Sequence, residues 1–168
     1  MSVVVSDTSP LHYLVECDAV QLLPALFQQV LIPPAVFQEL QHPHTPPKVR
    51  AWAQTLPFWV EVRAPNQLDA TLTVDEGERQ AICLAQEVHA DVILMDDRKG
   101  RAQALRGGLR VTGTIGLLEA AAARGLVDLG RVLKLLQETS ARLDPELIQA
   151  ALRRGRPVDP GRRPEIKP

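Results

Sequence analysis

Aromatic residues make up only 4% of the 168-residue chain. So small a supply offers no obvious platform on which the bases of a single strand could stack. Cysteine is scarcer still, with only Cys17 and Cys83. Their spacing fits neither a zinc site nor a disulfide framework, and both fall in apolar helical stretches, where a reduced core thiol is expected. The four histidines, His12, His42, His44 and His89, show no zinc-type spacing either. His42 and His44, in "HPH", read as loop residues. No run reaches the ~18 apolar residues of a membrane span, and no basic segment leads an apolar one at the N-terminus, so the expected location is the cytoplasm. Neither sign of charge is in excess: the net charge is −1, which argues against bulk electrostatic capture of nucleic acid. There is no G-x-x-x-x-G-K-[ST], no strand-borne G-x-G-x-x-G and no G-x-S-x-G. Nucleotide-dependent phosphoryl transfer, dinucleotide redox chemistry and serine hydrolysis thus lose their usual support.

What is present is ordinary for a globular protein: 45% apolar and 23% charged residues, enough for one domain with a single core. That domain is expected over residues 1–152. Residues 153–168 are rich in Pro, Gly and Arg. They hold six basic residues against Asp159 and Glu165, and read as a flexible basic tail on an acidic body.

Short β-branched or apolar runs, "SVVVS", "VLIP", "WVEVR", "DVILM" and "LRVTG", alternate with segments of helical periodicity. The alternation predicts a parallel sheet with helices on both faces, followed by C-terminal helices. "WVEVR" alternates like an edge strand. Ser9 and Pro10 read as a helix start, hydroxyl cap then proline, and "LHYLVECDAVQLLPALF" as helical throughout. Pro34 opens "PAVFQEL", Gly107 closes "KGRAQALR", and Asp128 and Asp144 cap the last two helices. Leu133 and Leu136 suit either a self-association face or ordinary core.

Acidic residues stand where strands give way to helices. Asp7 follows the first strand, Glu39 lies in "IPPAVFQEL", Glu78 in "VDEGERQAICLA", and Asp96 and Asp97 follow "DVILM". One end of a parallel sheet gathers such residues into one crevice. At roughly 4 Å, with an effective dielectric of about 20, a like-charged pair costs on the order of 4 kcal/mol. A cluster of this kind takes up protons or binds a hard divalent cation. Each acid has a structural alternative. Asp7 would be a helix cap, Glu39 a solvated helix residue, and Glu78 the partner of Asp75 in a capping box. Asp96 and Asp97 would form a polar turn, with only one of them facing a site. Arg98, Lys99 and Arg101 would hold a phosphate or balance the acids. The amides of "GTIG" and the Thr114 hydroxyl would meet a phosphate or cap a helix.

The ordered series "SDTSPLHYL", "IPPAVFQEL", "DEGERQAICLA", "VILMDDRKGR" and "VTGTIGLL" resembles the PIN-domain family over residues 2 to 155. It is most similar to the VapC-like branch with a D-T-S-P-L start and a D-D-R-x-G-R segment. The resemblance implies a three-layer α/β/α fold with a central, mostly parallel sheet and an acidic pocket at its C-terminal edge. It implies a Mg²⁺- or Mn²⁺-dependent endoribonuclease with Asp7, Glu39, Glu78 and Asp96 as the catalytic acids. Asp7, Glu78 and Asp96 would be metal ligands, with Asp97 the alternative to Asp96, which the eighteen-residue step from Glu78 favours. Many members have Asp at the third position; here the longer Glu78 takes it. Ser9 would help order the pocket, and Arg98, Lys99, Arg101 and Thr114 would bind substrate. The branch also implies the toxin of a two-gene toxin–antitoxin module, with RNA, a cognate antitoxin and a second copy of the chain as partners. The rivals are a PIN-like scaffold acting through binding alone and a phosphohydrolase using an Asp nucleophile with Lys99.

Overall fold

The structure, a computed structural model, describes residues 2–139 and 143–155. Five short strands form one sheet: β1 (Val3–Ser6), β2 (Gln29–Ile32), β3 (Val60–Val62), β4 (Val92–Leu94) and β5 (Val111–Thr112). Their order is β3-β2-β1-β4-β5 and every neighbouring pair is parallel. Within a strand the side chains alternate between faces, and each face feeds its own apolar layer. Val4, Val30, Ile32 and Leu94 point into one cluster, and Val5, Leu31, Ile93 and Met95 into the other. Because both faces are covered, the central strands are continuous apolar runs rather than half-polar ones.

Seven helices contribute to the first layer: α1 (Thr8–Glu16), α2 (Leu22–Leu26), α3 (Pro34–Leu40), α4 (Pro47–Gln54), α7 (Thr114–Ala123), α8 (Leu129–Thr139) and α9 (Pro145–Arg154). The second layer is built by α5 (Glu76–Glu87) and α6 (Arg98–Arg106). This is the three-layer fold expected, with β3 at one edge as "WVEVR" suggested. Fully buried side chains such as Leu14, Ile82 and Leu118 stabilise it by roughly 1.5–3 kcal/mol each. Several local expectations hold. Asp144 caps α9 by accepting from the Glu146 amide at 2.9 Å, Asp128 accepts from the Arg131 amide at 3.1 Å, and Gly107 is the C-cap of α6. Cys17 and Cys83 are buried free thiols.

Other expectations are corrected. Ser9 is not a helix cap. The helix begins one residue earlier, at Thr8, with Asp7 in the cap position. Pro10 then lies in the first turn, where an amide has no intrahelical partner to lose. The long helical segment breaks in two at Asp18, whose φ of 56° leaves the right-handed region. Leu133 and Leu136 are wholly buried in this chain's own core, so they offer no self-association face. Of the proposed tail, residues 156–168 lie outside the described residues, while Arg153 and Arg154 belong to α9.

Candidate active site

The chain builds outward from β1 to β2 and β3, then crosses back to β4 and continues to β5. The direction of winding therefore reverses between β1 and β4. At such a switch point the connections leave in opposite directions, and a crevice opens beyond the carboxyl ends of the two strands. Asp7 is the first residue beyond β1, and its amide donates to the Leu94 carbonyl of β4 at 2.9 Å. It occupies the cap position of α1, yet its side chain makes no capping hydrogen bond. The carboxyl group is thus available to the crevice, where it is only 5% exposed. Burial pushes its pKa up to about 8, against the Thr8 amide, which favours the charged form; the charges of Glu78, Asp75 and Glu39 push it further up.

Glu39 is brought to the same crevice by α3, which starts at Pro34 and is tied to α5 by the Ala35 amide donating to Gln80 Oε1 at 3.0 Å. The Thr8 hydroxyl donates to Glu39 Oε2. Burial raises the Glu39 pKa, the Thr8 hydroxyl opposes the shift, and the charge of Asp75 adds to it. A Cβ at Gly77 would stand 2.6 Å from Glu39 Oε1, so the glycine makes room for this carboxylate at the start of α5.

Glu78 does take part in a capping box. The Asp75 carboxylate accepts from the Glu78 amide at 2.8 Å, and Glu78 Oε2 accepts from the Asp75 amide at 3.3 Å. That role does not remove it from the crevice. It is 6% exposed, and burial, reinforced by the charges of Asp75 and Asp97, pushes its pKa up to about 7. Asp75 acts electrostatically on Asp7, Glu39 and Glu78 alike. Sequence reasoning had read it only as a cap. The capping-box spacing itself was the signal, because it forces Asp75 and Glu78 together.

Asp96 and Asp97 serve different neighbours. Asp97 is exposed and caps α6, accepting from the Gly100 amide at 2.9 Å. Asp96 accepts from the Thr114 amide at 2.7 Å and from the Thr114 hydroxyl at 2.6 Å. Burial raises its pKa, while Thr114 and the Arg101 charge hold it down. A Cβ at Gly113 would stand 2.5 Å from an Arg101 guanidinium nitrogen and 2.9 Å from Asp96 Oδ1. Asp96, Arg101 and the start of α7 are thereby packed into one unit. Thr114 is fully buried, with both its donors given to Asp96.

The predicted substrate contacts separate. Arg98 and Arg101 line a cleft of about 630 Å³ with Asp96, Ile115 and Arg154. Lys99 is exposed on the first turn of α6 and is not among that cleft's lining residues. Ser9 lines a different cleft, of about 560 Å³, together with Thr8 and Glu39. A further cleft beside Cys17 and Leu126 contains none of the four predicted catalytic acids.

The acids offer oxygen donors only, which is the chemistry of a hard divalent cation. Burial is the main cause of their raised pKa values; repulsion from neighbouring acids adds to it at Asp7, Glu39 and Glu78 but not at Asp96. As placed, however, Glu39 is engaged by the Thr8 hydroxyl, Glu78 by the Asp75 amide and Asp96 by Thr114. Among the described residues, no group of three or more His, Cys, Asp or Glu side chains is arranged so that it could hold a metal ion. The donor set fits the ion; grasping it requires side chains to turn from their present hydrogen bonds.

These features belong to a known class. Residues 3–156 match the PIN-domain family, and the chain belongs to that family. PIN domains are generally nucleases, usually metal-dependent ones. None of the curated proteins matches the chain. Among solved structures, a PilT N-terminus domain protein from the hyperthermophilic archaeon Sulfolobus solfataricus P2 is similar. It is 14% identical, with a TM-score of 0.47, over 86% of this chain and 98% of that one. No helix among the described residues is long and apolar enough to cross a membrane.

Proposed function

We propose that the chain is a Mg²⁺- or Mn²⁺-dependent endoribonuclease, the toxin of a type II toxin–antitoxin module. The observation that carries the nuclease reading is the pair Asp7 and Glu78. They are two buried carboxyl groups at the switch point, with pKa values pushed up to about 8 and about 7. Groups so placed hold either protons or a cation. Asp7, Glu78 and Asp96 would hold the ion, with Glu39 completing the set and Asp97 at its margin. A divalent cation there would supply an acidified water as nucleophile and neutralise charge building on the phosphate.

The chain's own residues do the rest. Glu39, anchored by the Thr8 hydroxyl, accepts hydrogen bonds from water entering the crevice. The Arg101 guanidinium donates to the Met95 carbonyl at 3.3 Å, at the end of β4, and Arg98 stands in the same cleft. Together they present charge-assisted donors to phosphate oxygens, which position a strand without reading its sequence. Lys99 adds a point charge at the rim. In-line hydrolysis leaves a 3′-hydroxyl and a 5′-phosphate. The toxin assignment follows from the likeness to the VapC-like motifs, and brings a cognate antitoxin and a second copy of the chain as further partners.

The test is incubation of a mixed tRNA and rRNA pool with the purified protein in Mn²⁺, Mg²⁺ or EDTA, beside an Asp7→Asn variant. The expected result is cleavage that needs the cation and disappears in the folded variant. Cleavage retained by the variant, or unaffected by EDTA, would contradict the assignment. A second reading is a PIN-like scaffold that binds protein or RNA without turnover. It is favoured by the hydrogen-bonded placement of the acids and by the lack of a ready metal-holding group among the described residues. Such a scaffold would bind RNA with the same affinity in EDTA and in Mn²⁺, and would leave it intact.

A further inference from the structure

The chain is poor in aromatic rings, but the fold does not scatter its smaller rings evenly. Three of the four histidines and the single tyrosine line one cleft of about 560 Å³. That cleft also includes Thr8 and Glu39, so it opens directly from the carboxylate crevice. Its volume lies within the roughly 300–1,000 Å³ of small-molecule sites.

The rings come from two elements. His12 and Tyr13 are consecutive on α1, with ring centroids 5.6 Å apart. His42 and His44 follow α3 in an exposed turn, stacked at 5.1 Å with an interplanar angle of 27°. That turn is built, not slack. The His44 amide donates to His42 Nδ1 at 3.1 Å, and the Thr45 hydroxyl donates to the Glu39 carbonyl at 2.9 Å. Tyr13 is buried and forms part of the wall, whereas His42 and His44 are exposed. No three of the histidines and acids here are arranged to hold a metal, so coordination does not explain the gathering.

We propose that this cleft is a nucleobase subsite. It takes one unstacked base of a single-stranded RNA, next to the phosphodiester presented to the carboxylates, with the base lying on the His42–His44 stack. The inference deepens the ribonuclease reading and rests on it for the identity of the ligand. Single-stranded RNA is recognised by splaying bases onto ring faces, histidine included, and stacking tolerates any base because every base has a π-face. The arginine cleft on the Asp96 side would then hold the backbone. The strand would run from the rings, past the acids, to Arg98 and Arg101.

The test is equilibrium binding of fluorescein-labelled eight-nucleotide RNAs in EDTA, where no turnover occurs. The probes are a single strand, a duplex of the same length, and an abasic ribose-phosphate oligomer. His44→Ala is expected to weaken single-strand binding about tenfold, the cost of losing one stacked base. His44→Phe should restore it, and neither variant should change the weak binding of the abasic oligomer. His12→Ala, on α1 and so outside the turn, keeps the test open if the turn around residue 44 is disturbed; it should weaken the same probe. Unchanged single-strand affinity in both alanine variants would overturn the subsite. Equal losses for the abasic oligomer would also overturn it, assigning the contact to phosphate. Ring-dependent binding without any cleavage in Mn²⁺ would leave the subsite standing and remove the nuclease reading. Cation-dependent cleavage with ring-independent binding and an unchanged KM would do the reverse.

Discussion

Asp7 holds a carboxyl group whose ionisation is opposed by the fold around it. In the unfolded chain it titrates near 3.8, and in the folded chain burial and the neighbouring acids push that to about 8. Between these values the folded state binds more protons than the unfolded state, so stability falls as pH rises. The favourable contribution is therefore complete below about pH 4 and gone above about pH 8. Glu78, raised from 4.5 to about 7, acts in the same direction within that window. Urea unfolding in EDTA at a series of pH values should show stability declining from about pH 4 to pH 8, and Asp7→Asn should flatten most of the decline. A stability that rises through this range in the wild type would mean that Asp7 is already charge-compensated in the folded chain. Sequence placed Asp7 correctly beyond a buried strand, but assigned the cap to Ser9. The register of the first turn depends on the Asp7 amide bonding to Leu94, a contact between residues far apart in the chain.

The starts of α5, α6 and α7 converge on the acids, and each does so through a glycine. A Cβ at Gly77 would meet Glu39, one at Gly100 would stand 2.6 Å from Met95 Sδ and 3.2 Å from Glu78 Cδ, and one at Gly113 would meet Arg101 and Asp96. The glycines let helix termini approach the carboxylates more closely than any other residue would allow. Gly77→Ala separates this role from stability. Alanine favours a helix over glycine by up to about 1 kcal/mol, so folding should be unharmed or slightly improved. The methyl group would displace the Glu39 carboxylate, and cleavage should fall at least tenfold. Thermal unfolding and initial cleavage rates on the same preparation check both halves; an active variant would show that Glu39 need not sit where Gly77 leaves space. The helix starts at Pro34, Asp75, Asp128 and Asp144 were legible because each is marked by local chemistry; the cap by Asp97 was not, since it was read only as a site acid or part of a polar turn. The break at Asp18 was not, because apolar residues continue at helical spacing on both sides of it. Asp75 was seen as a cap and missed as a neighbour of three other acids, since capping is local and the crevice is assembled from α1, α3 and α5.

Over the whole molecule, the alternation of apolar runs and helical segments was enough to imply a parallel sheet covered on both faces. It could not give the strand order β3-β2-β1-β4-β5, and so could not say that the switch point falls between Asp7 and Asp96. Nor could it say where the rings gather. Scarcity of aromatics argued against base stacking, yet three-dimensional packing brings His12, Tyr13, His42 and His44 to one cleft. Leu133 and Leu136, whose spacing suited a partner face, are consumed by the core. The arrangement that remains is a crevice whose acids repel one another, flanked by a ring-lined cleft and an arginine-lined one. A cation that relieves the repulsion should bind the folded chain in preference to the unfolded one.

Calorimetric titration of Mn²⁺ into the folded wild type and the folded Asp7→Asn variant at pH 8 tests that claim directly. The account predicts saturable binding to the wild type, weakened at least tenfold in the variant. It also predicts a wild-type stabilisation of about 2.7 kcal/mol at a hundredfold excess of the ion over its Kd. Equal binding by the two proteins, or no binding by the wild type, would contradict a cation site built on Asp7.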